Sequence, residues 1–336
     1  MPDPRFWRDD GALARLLMPV AAVYGAISGA RIARPGARAR VPVICVGNLT
    51  LGGAGKTPTA IAVANVLLSE GARPFFLSRG YGGALTGPVR VTSQHRAADV
   101  GDEPLLLARV APTIVARDRF QGAGLAIAES ASVIVMDDGF QNPSLIKDCS
   151  LVVLDGERGI GNGRVFPAGP LRAPMDVQLT RASALLVVGN ASAKAADVIA
   201  SAWKRRLPVL HGRLAPAPDS IAALAGKKAL AFAGIAHPQK FFDTLAASGI
   251  ATPVKRAFAD HHPFTDAEAR ELLAQAKRDD LLLLTTEKDL ARMQGDAACT
   301  ELAAAAVALP VRLETEPGAF HEIVAHAMRP RSADSV

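Results

Sequence analysis

An apolar run ending at Val46 leads into Gly47-Asn48-Leu49-Thr50-Leu51-Gly52-Gly53-Ala54-Gly55-Lys56-Thr57-Pro58, and a helical apolar pattern follows. Strand, glycine-rich turn, Lys-Thr and helix in that order form the Walker A arrangement, which holds a nucleoside triphosphate. Each residue type has a physical task. Gly52, Gly53 and Gly55 allow positive φ, so the turn from Thr50 and Leu51 through Ala54 can aim its N–H groups at phosphate oxygens, where the helix dipole adds to the field. Lys56 is placed to reach the β- and γ-phosphates, and Thr57 to offer its hydroxyl to Mg²⁺. Pro58 costs nothing in a first helical turn, whose N–H groups lack intrahelical partners. The first glycine of the usual spacing is missing, because position 50 is threonine. Gly47 is the candidate for that turning role.

Acids stand where such a loop needs them. Asp137 and Asp138 follow an apolar run ending at Met136, the place of a Walker B acid, and one or both are expected to hold Mg²⁺ directly or through water. An ordinary Asp-Gly turn after a strand is the plainer alternative. In Gly101-Asp102-Glu103-Pro104 the acids suit a helix start, as cap and dipole complement, and equally suit a base that takes a proton from an acceptor hydroxyl. His261 and His262 adjoin after Asp260; a ring there either caps and packs or orients a base carboxylate across a cleft. Arg79, in Arg79-Gly80-Tyr81-Gly82, and Arg172, closing Pro167-Ala168-Gly169-Pro170-Leu171-Arg172, lie on loops rather than helix faces, which points to anion contact.

Positioning these residues requires a sheet. Apolar runs at 41–46, 74–77, 113–116, 132–136, 151–154 and 184–188 read as buried parallel strands with helices between them, so the fold class is α/β, a mostly parallel sheet with helices on both faces. Its ligand belongs at the carboxyl ends of the strands. Near Leu214 the chain turns proline-rich, and strand-like runs at 229–233 and 281–285 begin a second, smaller α/β unit. The expected division is 1–215 and 216–336, and the tail after Arg329 is expected to be disordered.

The 336 residues are 49% apolar, enough for a sizeable core, and 38 basic against 32 acidic side chains leave a net charge of +6 that favours an anionic partner. Three widely spaced cysteines offer neither a zinc-knuckle spacing nor a disulfide framework. The uncharged stretch 16–30, flanked by arginines, would span only about 22 Å as a helix, short of a bilayer's roughly 30 Å core. It reads as a helix lying in a membrane interface or as one covering its own domain's core; a signal peptide would separate the phosphate loop from cytosolic nucleotide.

Together GNLTLGGAGKTP, LSRGYGG, GDEP, MDDGFQ, FPAGPLR, ADHHPF and TTEKD, in order over nearly the whole chain, resemble the tetraacyldisaccharide 4′-kinase (lipid A 4′-kinase) family. The resemblance implies a P-loop kinase that moves the γ-phosphate of ATP to the 4′-hydroxyl of a tetraacylated glucosamine disaccharide 1-phosphate, the lipid A disaccharide precursor, making lipid IVA at the cytosolic face of the inner membrane. It implies ATP and Mg²⁺ as cofactors and an anionic inner-membrane surface as partner, met by a helix at about 12–30. By matching motif, Thr50 to Thr57 would hold nucleotide; Thr57, Glu103, Asp137 and Asp138 would serve the metal. Asp102 would be the general base acting with His261; Arg79 and Tyr81 would line the substrate or nucleotide side of the cleft, and Arg172 the substrate side. Ala173 stands where the family usually has glutamate, so that residue's role does not transfer.

Rival readings fit less well. A membrane-peripheral P-loop ATPase of the partitioning or cell-division type carries a lysine before the paired glycines, where this chain has Leu51; a GTPase needs Lys-x-Asp spacing, whereas Lys288 and Asp289 adjoin. A nucleic-acid module would interleave aromatics with its basic residues, and only 5% of this chain is aromatic.

Overall fold

The structure is a computed structural model and describes residues 4–329; the expectation for the tail after Arg329 falls outside them. Its larger unit is built on a nine-stranded sheet of β1 (Val43–Asn48), β2 (Pro74–Ser78), β3 (Val89–Arg90), β4 (Thr113–Val115), β5 (Val133–Asp137), β6 (Cys149–Asp155), β7 (Ala184–Val188), β8 (Val209–Pro216) and β13 (Val311–Thr315). The order is β13-β8-β7-β6-β1-β5-β2-β4-β3, parallel except at the two edges. A four-stranded parallel sheet forms the smaller unit, with β10 (Ala251–Ala257), β9 (Lys228–Ala233), β11 (Leu282–Thr286) and β12 (Val307–Leu309) in that spatial order.

Helices α1 (Ala12–Leu16), α2 (Met18–Ile32), α3 (Lys56–Ser69), α4 (Ala97–Val100), α5 (Asp102–Ala108), α6 (Arg119–Ala128), α7 (Met175–Leu179) and α8 (Ala193–Lys204) belong to the larger unit. The smaller has α9 (Pro218–Leu224), α10 (Pro238–Ala247), α11 (Asp266–Arg278), α12 (Glu287–Met293) and α13 (Thr300–Ala305); α14 (Pro317–Ala327) closes the described chain.

Strand alternation divides the larger core between the two faces of the sheet. Val43 and Cys45 of β1 pack with α6 and α8 residues on one face, and Ile44 and Val46 pack with α3 on the other. The second face corrects the expected division of the chain. Residues 216–336 do not all belong to the smaller unit: β13 pairs antiparallel with β8, and Phe320, Val324 and Ala327 of α14 are buried against Ala60, Val63 and Leu67 of α3. The return is driven by an apolar face of α3 that would otherwise meet water.

Two sets of ion pairs join the units at the carboxyl end of the larger sheet. Lys240 of α10 lies 2.8 Å from Asp155 at the end of β6, and Arg292 of α12 lies 2.6 Å from Asp102 at the start of α5. At the other extremity, the expected helix at 12–30 is two helices. The break falls at Leu17, and Pro19 occupies the first turn of α2, where its missing N–H is harmless.

Candidate active site

The phosphate loop begins where β1 ends. Asn48 Nδ2 and Lys56 Nζ both donate to the carbonyl of Gly52, at 3.0 and 3.1 Å, so lysine and strand end bracket the turn. Gly52 and Gly55 have φ of +100° and +84°, a region that strains any other residue type. Gly53 and Gly47 depart from expectation. Gly53 is not among the positive-φ residues, and a Cβ there would meet no described atom within 4 Å. Gly47 lies inside β1 and makes no turn; its Cβ would sit 2.3 Å from Cβ of Phe140, so it is glycine because Phe140 crosses it.

A strap formed by residues 165–172 fixes the loop's other side. Leu51 donates its N–H to Pro170 O at 2.8 Å, Arg172 its N–H to Leu49 O at 2.9 Å, and Thr50 pairs with Leu171 in an antiparallel bridge. Arg172, expected on the substrate side, adds its Nε to Thr50 O at 2.9 Å and lays both terminal nitrogens on Asp138.

Asp137, the last residue of β5, is buried. Thr57 Oγ1 donates to its Oδ2 at 3.3 Å, and its Oδ1 has no partner among the described residues. Burial, with the nearby charges of Glu103 and Asp138, pushes its carboxyl up to about 7. Asp138 differs although it is adjacent: burial opposes its charge, but Lys56 and Arg172 hold it below the usual carboxylate range. An orphaned carboxylate oxygen beside a hydroxyl suits a hard divalent cation. No group of three or more His, Cys, Asp or Glu able to hold a metal occurs among the described residues. Mg²⁺ needs only one or two carboxylates and completes its shell with phosphate and water. Glu103 faces the same region with Lys288 Nζ 2.5 Å from its Oε1.

Asp102 is placed by glycines. Gly101 has φ of +90°, and a Cβ on it would lie 2.4 Å from Tyr81 O; one on Gly83 would lie 2.6 Å from Asp99 O. Gly80 and Gly83 are therefore glycine where backbone presses on backbone, a Cβ at Gly80 lying 2.9 Å from Val100 O, whereas one at Gly82 would meet no described atom within 4 Å. Arg79 and Tyr81 themselves are exposed, and the Tyr81 ring stands edge-on to His261 at 5.6 Å.

Asp102 itself is 3% exposed. Its Oδ1 accepts from Glu103 N at 2.9 Å; its Oδ2 accepts from Arg292 Nη2 at 2.6 Å and faces His261 Nδ1 at 3.3 Å. Burial alone would raise the acid, but the His261 hydrogen bond and the charges of Lys288 and Arg292 outweigh it and leave the carboxyl far below its ordinary value. The same hydrogen bond raises His261. The two histidines separate cleanly. His261, with φ of +56°, turns to Asp102, while His262 stacks on Phe258 and bonds Glu268 at 2.9 Å.

A phosphate loop, a metal-ready pair and a buried carboxylate thus occupy one end of the sheet, and a family model described as Tetraacyldisaccharide-1-P 4'-kinase matches residues 13–329. The chain belongs to this family. A tetraacyldisaccharide 4'-kinase of Nitrobacter winogradskyi is 54% identical over 93% of each chain, and one of Methylobacterium sp. (strain 4-46) is 56% identical over 93% of this chain and 92% of its own. A crystal structure of LpxK from Aquifex aeolicus in complex with ATP is similar with a TM-score of 0.72 at 25% identity, covering 94% of this chain and all of that one.

Several residues of the kinase's site escaped the sequence reading. Lys288 and Arg292, four apart on α12, reach Glu103 and Asp102 across the interface. Their i, i+4 spacing after Thr-Thr-Glu was the available signal. Gln141 and buried Gln178 support the loop through the carbonyls of Asn48 and Leu49. Arg119 is buried beneath the site; burial and then Arg79 lower it to about 10, while Asp138 opposes them.

Proposed function

We propose that this kinase binds Mg·ATP on the loop Thr50–Thr57 and transfers the γ-phosphate to the 4′-hydroxyl of a tetraacyldisaccharide 1-phosphate, giving lipid IVA and ADP. One observation carries the site assignment. Asp102, paired with His261, adjoins the Thr57–Asp137 pair through Glu103, whose charge acts on Asp137 and whose carboxylate holds Lys288.

In that reading the 4′-oxygen forms a bond to the γ-phosphorus as the bond from that phosphorus to the β–γ bridging oxygen breaks. The hydroxyl proton passes to Asp102. A carboxylate held this acidic is a weak base, which suits a loose transition state in which the proton leaves late, so Asp102 acts mainly by orienting the hydroxyl. Thr57 and Asp137 would hold Mg²⁺, with Asp138 and Glu103 beside it as charges already balanced by Arg172 and Lys288. Bound Mg²⁺ would neutralise charge building on the β- and γ-phosphate oxygens. Lys56 supplies a fixed positive charge to the same oxygens.

The acceptor's acyl chains call for a membrane surface. Leu16, Val20, Val23 and Ile27 of α1 and α2 are exposed, while Gly25 and Gly29 face Pro174, Val165 and Val177. Exposed Arg31 and Arg34 follow. An apolar helix face flanked by arginines fits the interface of an anionic bilayer, here the cytosolic face of the inner membrane. No helix among the described residues is long and apolar enough to cross one. Phe166, edge-on to Tyr24 at 5.3 Å, begins the strap that ends on the phosphate loop, so the helix and the nucleotide site share a support.

The test is mass spectrometry of a tetraacyldisaccharide 1-phosphate incubated with the protein and Mg·ATP in detergent micelles. Addition of one phosphate at the 4′ position is expected, and an unmodified lipid would refute the proposal.

A further inference from the structure

We propose that Arg292 is a positioning residue for phosphoryl transfer, through which the smaller unit orients Asp102 and His261 as a pair. The proposal rests on the reading of Asp102 as the proton acceptor.

The geometry of the guanidinium carries it. The Arg292 side chain is 11% exposed. Nη1 donates to Asp289 Oδ1 at 2.9 Å, to Gly234 O at 3.1 Å and to His262 O at 3.4 Å; Nη2 donates to Asp102 Oδ2 at 2.6 Å. Because the group is planar with its donors in a fixed fork, anchoring one nitrogen to three acceptors sets the direction of the other.

Those anchors are themselves built in. Asp289 is fully buried and accepts from Thr286 Oγ1 at 2.6 Å and from Gly234 N at 3.1 Å. Gly234 O accepts from the His261 backbone N–H at 3.1 Å as well as from Arg292, so the His261 main chain and the guanidinium hang from one carbonyl while imidazole and guanidinium converge on one carboxylate oxygen. A Cβ at position 234 would stand 3.1 Å from Asp289 Oδ1 and 3.2 Å from Ala259 O, so a side chain there would have to push one of them aside by a few tenths of an ångström.

Arg292's hydrogen bonds run to Asp102, Asp289, Gly234 and His262, and none of these belongs to the phosphate loop. Its loss should therefore free the Asp102 carboxylate to rotate and slow the chemical step without touching the nucleotide cradle.

Steady-state kinetics of the full chain with Mg·ATP and tetraacyldisaccharide 1-phosphate test this in Arg292→Met, Arg292→Lys, Asp102→Asn and the double variant Arg292→Met/Asp102→Asn. Arg292→Met is expected to lower kcat by about 10- to 100-fold with KM for ATP within about 2-fold, as befits lost orientation rather than lost binding. Arg292→Lys keeps the charge but cannot bridge Asp289 and Asp102 together, so its kcat should fall between. The double variant should be no slower than Asp102→Asn, since residues acting as a unit are not additive. Wild-type kcat in Arg292→Met, a parallel loss of nucleotide affinity, or additive losses in the double variant would each overturn the proposal. If Arg292→Met does not fold, Arg292→Lys decides alone: a fall in kcat of about 5-fold or more at unchanged KM supports it, and wild-type kcat overturns it. Should Asp102→Asn itself keep wild-type kcat, the proton-acceptor reading fails, a result distinct from failure of Arg292 alone.

Discussion

Arg172 holds Asp138 by two parallel contacts, Nη1 to Oδ1 at 2.8 Å and Nη2 to Oδ2 at 3.1 Å, while its Nε keeps the carbonyl of Thr50 at 2.9 Å. One planar group thereby ties the phosphate loop to the end of β5. Lys56 Nζ, 3.9 Å from the same Oδ1, is left close enough to Asp138 to feel its charge but is not captured by it. Arg172→Ala should let Asp138 draw the lysine away from the phosphates. KM for ATP is expected to rise about tenfold or more, and stability to fall by about 1–2 kcal/mol, allowing for partial solvent access to the pair. Arg172→Lys should recover little, because an ammonium cannot reproduce the fork. Unchanged ATP kinetics in both variants would remove this role.

Asp137 makes stability depend on pH in the sense opposite to a salt-bridged acid. Its carboxyl is raised from 3.8 to about 7 in the folded chain, so between those values the folded state binds the extra proton and stability falls as pH rises. Without Mg²⁺, urea unfolding is expected to show a loss of up to a few kcal/mol from pH 5 to pH 8. Mg·ATP, favouring the ionised carboxylate, should restore it. In Asp137→Asn the slope should flatten; a slope identical to wild type would assign it to another group.

Gly101 and Gly82 offer a controlled comparison within one loop pair. Both have positive φ, +90° and +81°, but an added Cβ clashes with Tyr81 O only at Gly101 and meets no described atom within 4 Å at Gly82. Gly82→Ala should cost about 1 kcal/mol of strain. Gly101→Ala should cost about 2–4 kcal/mol and depress kcat as well, because it displaces Asp102. Equal thermal shifts in the two variants would show that the backbone contact does not set the position of the acid.

The apolar face of α2 predicts membrane behaviour. Val23 and Ile27 are 62% and 65% exposed, so their replacement by Asp should leave the fold intact. Sedimentation with phosphatidylglycerol vesicles should fall severalfold in Val23→Asp/Ile27→Asp, since each charge must then enter the headgroup boundary. Full retention would place the docking surface elsewhere on the chain.

Much of the larger unit could be read directly, because strands buried on both faces appear as continuous apolar runs. Runs at 184–188 and 229–233 coincide closely with β7 and β9. β13 could not be read that way. As an edge strand it alternates between half-buried and exposed residues, and only pairing with β8 reveals its place. Gly47 has a similar explanation: what it avoids is Phe140, 93 residues on, which no local pattern announces.

Local order of residue types was enough to define the nucleotide chemistry, since loop, lysine and threonine act through backbone geometry that a dozen consecutive residues enforce. The environment of the acid was settled only by folding. Arg292 lies 190 positions from Asp102, and whether a buried carboxylate is raised like Asp137 or lowered like Asp102 depends on which charges three-dimensional packing brings within a few ångströms of it.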